Sequence, residues 1–186
     1  MGEGTASGVT GGSVTGVVIN VTAEQFEAAK HLMAIATLEA IRMIHVRAAH
    51  MTAPDCPVKT MEEKSRPSAT ASLIEGTNQF PVVVGHVMTG RHAERVEIQV
   101  DGSFELIYSV PPDTKATPVE LQAFADTNAL LNCWPYWREL VHDMAARMEL
   151  PPLTLPFLRV KVVQPPKQED ESVQPQKTKG KSEAKE

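Results

Sequence analysis

The stretch Asn132-Cys133-Trp134-Pro135-Tyr136-Trp137-Arg138-Glu139 holds both tryptophans of the chain and one of its two tyrosines. Apolar residues continue at helical spacing on both sides of it, which predicts an amphipathic helix. Pro135 lacks a backbone N–H, and its ring clashes with the carbonyl four residues back. We therefore predict a long helix, rich in aromatic residues, that breaks or kinks near residues 132–134 and supplies much of the core.

Two helix starts can be identified upstream. In Thr117-Pro118-Val119-Glu120, threonine can cap the helix, proline suits the first helical position, and glutamate can bond back to the cap. Thr22-Ala23-Glu24-Gln25 has the same capping pattern, with Val21 and Phe26 placed to pack together across it. The sequence thus predicts an N-terminal helix from Thr22 and a C-terminal helix from Thr117.

Between these helices the sequence predicts strands. Ile41–Met51 alternates in a way that favours a strand over a continued helix, whereas residues 55–68 read as a loop with a short strand possible at Ala69–Ile74. Phe80–Thr89 and Arg95–Val110 are rich in Val, Ile and Phe at alternating positions and are predicted strands.

The residue pattern within these strands makes two finer predictions. In the first strand, simple alternation puts Ile44 and Val46 on one face and Met43 on the other. In the last strand, Asp101-Gly102 marks either a two-residue hairpin turn or a bulge in one long strand, and we favour the bulge.

Strands grouped between helices predict an α+β fold, an antiparallel sheet with helices on one face. Residues 1–15 are rich in Gly, Ser and Thr, and residues 161–186 are charged and contain few apolar side chains. Such segments bury too little apolar surface to fold. We expect disorder in 1–15 and 161–186 and one folded domain at 16–160.

The composition argues against several classes of protein. A net charge of −5 and the lack of a basic stripe argue against nucleic-acid binding, since the Lys-rich run at 177–181 is diluted by Glu183 and Glu186. The sequence has no apolar segment long enough for a membrane span, no secretory signal pattern and no CxxC pair, with Cys56 and Cys133 far apart. We expect a cytoplasmic protein with reduced thiols.

The residues offer little for catalysis. A thiol enzyme would require Cys133 and His142 to meet, but their spacing does not itself bring thiol and imidazole together. The six histidines form no metal-ligand pattern, and no glycine-rich loop precedes Lys-Ser or Lys-Thr. We therefore expect a binding protein without enzymatic activity, cofactor or metal.

The last third of the chain resembles the SecB-like family of protein-export chaperones. The matching pattern is Trp134-Pro135-Tyr136-Trp137-Arg138-Glu139, then Asp143-Met144 and Arg147, then Leu150-Pro151-Pro152-Leu153-Thr154-Leu155. His50-Met51-Thr52-Ala53-Pro54 is similar to the end of the family's first strand. The resemblance spans about residues 38–158 and is strongest in 132–155.

The resemblance implies a four-stranded antiparallel sheet with a long helix on one side, assembled as a dimer of dimers. It implies an ATP-independent chaperone that holds unfolded polypeptides in hydrophobic grooves. We take Trp134, Pro135, Tyr136, Arg138 and Glu139 as a signature that shapes the helix and its oligomer contacts. The candidate client-binding residues are Ile44, Val46, Val83, Trp137 and Met144.

This chain departs from the export members at the positions that face the SecA motor. Those members carry acidic side chains on the first strand, where this chain has Ala48 and Thr52, and Gly90–Arg95 is basic. The departure argues against SecA as a partner and favours the solitary or toxin–antitoxin-associated branch. A dedicated adaptor for one partner, such as an antitoxin, is therefore the alternative function.

Overall fold

The computed structural model describes residues 9–10, 17–51, 60–69, 73–92, 95–150 and 153–163. In chain order the elements are β1 Val9–Thr10, β2 Val17–Thr22, α1 Ala23–Ile35, β3 Thr37–His50, β4 Thr60–Ala69, β5 Gln79–His92, β6 Arg95–Ser109, α2 Pro118–Phe124, a π-helical turn Ala125–Ala129, α3 Leu130–Arg147 and β7 Leu158–Val163.

Both predicted helix starts are confirmed by their capping bonds. The Gln25 amide donates to the Thr22 hydroxyl at 3.1 Å, and the Gln25 side chain accepts from the Thr22 amide at 3.0 Å. Thr117 and Glu120 make the same reciprocal pair before α2. The bond from the Thr117 backbone is the main cause that lowers the pKa of Glu120, because it favours the carboxylate form.

The predicted four-stranded antiparallel sheet is confirmed, in the order β4-β5-β6-β3, and β1 adds two residues to the free edge of β4. The strands over 41–51, 80–89 and 95–110 are confirmed, and β5 extends to His92, so most of Gly90–Arg95 is strand. The loop predicted at 55–68 is wrong from residue 60 onward, where β4 begins. Polar side chains occupy both faces of β4, so it lacks the apolar alternation that marks a strand.

Two finer predictions about the strands need correction. Asp101 and Gly102 keep regular partners on both neighbouring strands, so they form neither a turn nor a bulge. The irregularity lies across the ladder in β3, between Met43 and His45. Of the possible strand at Ala69–Ile74, Ala69 is the last residue of β4 and residues 73–74 are not in a strand, while residues 70–72 lie outside the described part.

The predicted long C-terminal helix is confirmed as a continuous helical run over 118–147 that packs on one face of the sheet. Pro135 lies inside α3, and residues 132–134 are α-helical; the irregular geometry occurs upstream, at Ala125–Ala129. There the Thr127 hydroxyl donates to the Ala123 carbonyl at 2.8 Å. A side-chain donor of this kind partners a carbonyl in the widened turn.

The two ends of the domain pair with each other. β2 and β7 form a parallel ribbon in register from Val17 opposite Leu158 to Thr22 opposite Val163. The predicted domain boundary at residue 160 therefore falls inside β7. The rest of the two segments predicted to be disordered, apart from Val9–Thr10, lies outside the described residues. Among the helices described, none combines the length and apolarity needed to cross a bilayer.

Candidate functional site

The centre of the fold is a direct contact between α3 and β6. A Cβ atom at Gly102 would lie 3.0 Å from side-chain atoms of both Trp137 and Leu140. Trp137 is fully buried and stacks on His86 of β5, with ring centroids 5.0 Å apart. The structure thus places Trp137, one of the predicted client-binding residues, in the core beneath the helix.

The signature residues hold the returning C-terminal segment. Nε1 of Trp134 donates to the Pro156 carbonyl at 2.9 Å, and Nε of Arg138 donates to the Leu155 carbonyl at 2.8 Å. The Arg138 guanidinium also lies 4.8 Å from the centre of the Phe157 ring. Trp134 and Arg138 are four residues apart and therefore share one face of α3. From that face their side chains bind two successive carbonyls of the segment that leads into β7.

The other signature residues have a different environment. Pro135, Tyr136 and Glu139 are exposed, on the opposite side of the same turns of α3. Tyr136 is 47% exposed, which leaves a large aromatic side chain on the protein surface. The signature therefore combines internal anchors with an exposed strip on the other side of α3.

We expect Trp134→Phe to lower the free energy of unfolding by about 2 kcal/mol, because it leaves the buried Pro156 carbonyl without a donor. Urea unfolding measures the loss. Hydrogen exchange should show β7 amides losing protection before those of β5 and β6. The control Tyr136→Phe, at an exposed ring, should change stability by less than about 0.5 kcal/mol. Equal losses in the two variants would contradict this role for the indole.

A buried polar cluster lies under α3. Oε1 of Glu63 is 3.0 Å from Nδ1 of His86 and accepts from the Ser65 hydroxyl at 2.7 Å. Ser65 Oγ is 2.9 Å from the same Nδ1. Ser65 and Glu63 thus both contact Nδ1 of His86. In a nucleophile–base–acid relay, the nucleophile and the acid contact different nitrogens of the histidine ring. Sequence reasoning missed this cluster because two of its three members lie in the segment read as a loop.

The hypothetical thiol pair does not form. Cys133 is fully buried on the sheet side of α3, and desolvation raises the pKa of its thiol to about 12. His142 is exposed on the same helix. A thiol held neutral in the core is not a nucleophile at physiological pH. No group of three potential metal ligands occurs among the described residues.

A cluster of exposed apolar side chains lies on β3. Met43 is 52% exposed, Ile44 53% and Val46 40%, and we call these three residues the β3 shelf. Met43 pairs with Phe104 and Val46 with Gly102, both buried on the helix-packed face of β6. Met43 and Val46 therefore lie on that face, just beyond the part that α3 covers.

The predicted client-binding residues come together only in part. Ile44 and Val46 are neighbours on the shelf, and Met144 is partly buried against the core on α3. Val83 pairs with Ser68 and Glu105, which places it on the opposite face of the sheet. Met43 was missed because the irregularity at Ile44 shifts the alternation by one residue, and no signal in the sequence marks that shift.

Comparison with known protein families found no matching family, and comparison with curated proteins found no match. Among solved structures, the chain is similar to the Mycobacterium tuberculosis SecB-like chaperone Rv1957, solved in complex with a ChAD peptide from the antitoxin HigA1 (Rv1956). That match has a TM-score of 0.66 and 26% identity and covers 73% of this chain and 99% of that one. A Streptococcus agalactiae protein of unknown function matches with a TM-score of 0.43 and 12% identity, over 66% of this chain and 97% of that one. The sequence signature and the shared fold together make this chain similar to the SecB-like chaperones.

Proposed function

We propose that this protein is an ATP-independent cytoplasmic chaperone that holds unfolded or extended polypeptides and catalyses no reaction. The observation that carries the proposal is the β3 shelf, whose three apolar side chains are 40–53% exposed. The similarity to a SecB-like chaperone solved with a bound peptide supports it.

The chemistry of the shelf suits clients of varied sequence. Fully burying one such side chain stabilises a complex by about 1.5–3 kcal/mol, so three provide useful but reversible affinity. The unbranched thioether of Met43 can adapt to side chains of different shape. In this proposal Met144 borders the shelf from α3, Trp137 supports α3 from below, and Val83 offers a separate apolar contact on the far face.

We further propose that the protein assembles as a homotetramer, a dimer of dimers. β3 is hydrogen-bonded to β6 on one side only, which leaves an edge of 14 residues without a strand partner among the described elements. Such an edge readily pairs with its counterpart in a second copy about a two-fold axis. That pairing would bring two β3 shelves side by side. Measurement of mass in solution, with and without an unfolded client, tests the tetramer, and a monomer under both conditions would refute it.

We expect the double variant Met43→Asp/Val46→Asp to lose most of its ability to suppress the aggregation of a denatured client. Two carboxylates on the shelf would have to lose their hydration for an apolar client segment to bind. Light scattering at stoichiometric chaperone measures the effect, and we expect at least about a fivefold weaker suppression.

The matched control for this experiment is Val119→Asp. Val119 is 71% exposed on α2, so this variant places a carboxylate at an apolar surface position away from β3. It should suppress aggregation as the unmodified protein does. Normal suppression by the β3 double variant, or an equal loss in the control, would rule out the shelf as the client site.

A dedicated chaperone for one partner is the second candidate, because the solved SecB-like relative holds a peptide from an antitoxin. An antitoxin gene next to the gene for this chain would favour this candidate. Similar affinities for many unrelated unfolded clients would count against it. For SecA we expect no docking, since Ala48 offers no charge and Arg47 beside it is basic and exposed; Thr52 lies outside the described residues.

A further inference from the structure

The sheet face turned away from the helices is a second solvent-accessible surface. Residues of β5 whose side chains lie on the helix-packed face are buried, whereas alternate residues such as Val83, Val87 and Thr89 are at least partly exposed. All helix contacts with β5 and β6 therefore fall on one side. We call the other side the outer face.

Charge is unevenly distributed over the outer face. On the β3 side, Arg42 is bridged to Glu105 at 3.1 Å, and Arg47 lies opposite Asp101 in the ladder, so basic and acidic groups balance. At the β4–β5 corner the balance is lost. There Lys64 is paired with Glu62 at 3.3 Å, while Arg66 and Arg91 take part in no ion pair within the described residues.

The same corner is concave. Six residues line a shallow pocket there: Glu62, Lys64, Arg66, Val87, Thr89 and Arg91. Its walls carry three basic groups against one acidic group, and its floor offers an apolar side chain and a hydroxyl. An excess of positive charge at a concave corner of a chain with a net charge of −5 is a local feature that attracts anions.

We propose that this β4–β5 corner docks an acidic segment of a partner polypeptide. Lys64 and Arg66 lie two residues apart on one strand face, which spaces their Cα atoms about 7 Å apart. An extended peptide with carboxylates at alternate positions has the same repeat, and Arg91 can pair with a third carboxylate or bind one of the two in a bidentate manner. The overall negative charge of the protein opposes binding of nucleic acid.

This inference is independent of the chaperone proposal, because the corner and the β3 shelf lie on opposite faces of the sheet. A partner held at the corner would leave the shelf open to a client. Arg66→Glu/Arg91→Glu should therefore suppress client aggregation as the unmodified protein does. Failure of either proposal leaves the other standing.

The test measures binding of a fluorescein-labelled peptide of alternating Glu and Thr to the full chain by fluorescence anisotropy. We expect the peptide to bind, and its affinity to fall as salt rises from about 50 mM to about 300 mM, because salt screens exposed charges. The double variant Arg66→Glu/Arg91→Glu should bind at least about tenfold more weakly. The matched control Arg47→Glu, on the same outer face where charges balance, should change affinity by less than about threefold.

Several results would overturn the proposal: no binding of the Glu-Thr peptide, equal binding of its Gln-Thr counterpart, or an equal loss in Arg47→Glu. Two more would reassign the occupant. If Glu169→Gln/Asp170→Asn/Glu171→Gln raised peptide affinity about tenfold, the corner would be filled by the acidic run of this chain itself. If a single-stranded DNA oligomer bound there more tightly than the peptide, the ligand would be nucleic acid. Amide chemical shifts of the unmodified protein provide a readout without variants, since changes on β3 or α3 instead of the corner would refute the site.

Discussion

Replacing Gly102 by valine is expected to lower the free energy of unfolding by about 3 kcal/mol, near the upper end for overpacked cores. A Cβ atom at this position would lie 3.0 Å from atoms of both Trp137 and Leu140, and valine adds two methyl groups to it. Trp137 cannot move aside easily, because its ring is stacked on the buried His86. The helix itself would have to shift away from the sheet.

The matched control is Gly85→Ala on the neighbouring strand. There a Cβ atom would meet the Ser103 hydroxyl oxygen at 3.6 Å, an ordinary contact distance. Since alanine also restricts the unfolded chain more than glycine, Gly85→Ala should change stability by no more than about 1 kcal/mol in either direction. Urea unfolding of both variants measures the difference. Equal stability of Gly102→Val and the unmodified protein would show that α3 does not press on β6 as described.

Removing Glu63 is expected to cost about 3 kcal/mol or more, the usual range when one partner of a buried pair is lost. The Glu63 side chain is 5% exposed and that of His86 0%, so water cannot replace the missing carboxylate. Nε2 of His86 already lacks a partner among the described residues, and Glu63→Ala would leave Nδ1 only the Ser65 hydroxyl. A buried imidazole with so few partners destabilises the fold.

The adjacent residue provides the control for Glu63. Glu62 is bridged to Lys64 on the exposed face, with side chains 39% and 51% exposed, and Glu62→Ala should cost no more than about 0.5 kcal/mol. The double variant Glu63→Leu/His86→Leu should be less destabilised than the sum of its single variants, since both polar groups leave together. Equal costs at positions 62 and 63 would mean that the Glu63–His86 contact contributes nothing to stability.

Local chemistry in the sequence was enough to predict the helix starts and the two central strands. A capping box contains its own donors and acceptors within four residues, so Thr22 and Thr117 could be identified without knowledge of the fold. β5 and β6 are buried on one face over most of their length, which imposes visible alternation. The aromatic signature could also be recognised from the sequence, because its anchoring residues and the segment they hold are close together in the chain.

The tertiary structure alone decided the features that depend on distant neighbours. β4 is a strand because β5 pairs with it along its length and α2 and the π-helical turn cover one of its faces, although its own residues are mostly polar. Met43 joins Val46 on the shelf because an irregularity in β3 shifts the alternation. Neither effect can be read from residues adjacent in the chain.

Gly102 shows most clearly how local sequence chemistry and tertiary contacts differ in what they determine. By itself the sequence Asp101-Gly102 indicates a turn or bulge, because glycine adopts such conformations without steric cost. In the fold the backbone there is regular strand, and glycine is needed because Trp137, 35 positions further along the chain, packs against it. The sequence determined the fold class and the signature through short-range chemistry; the positions of the shelf, the buried cluster and the basic corner were decided by contacts between strands and helices far apart in the chain.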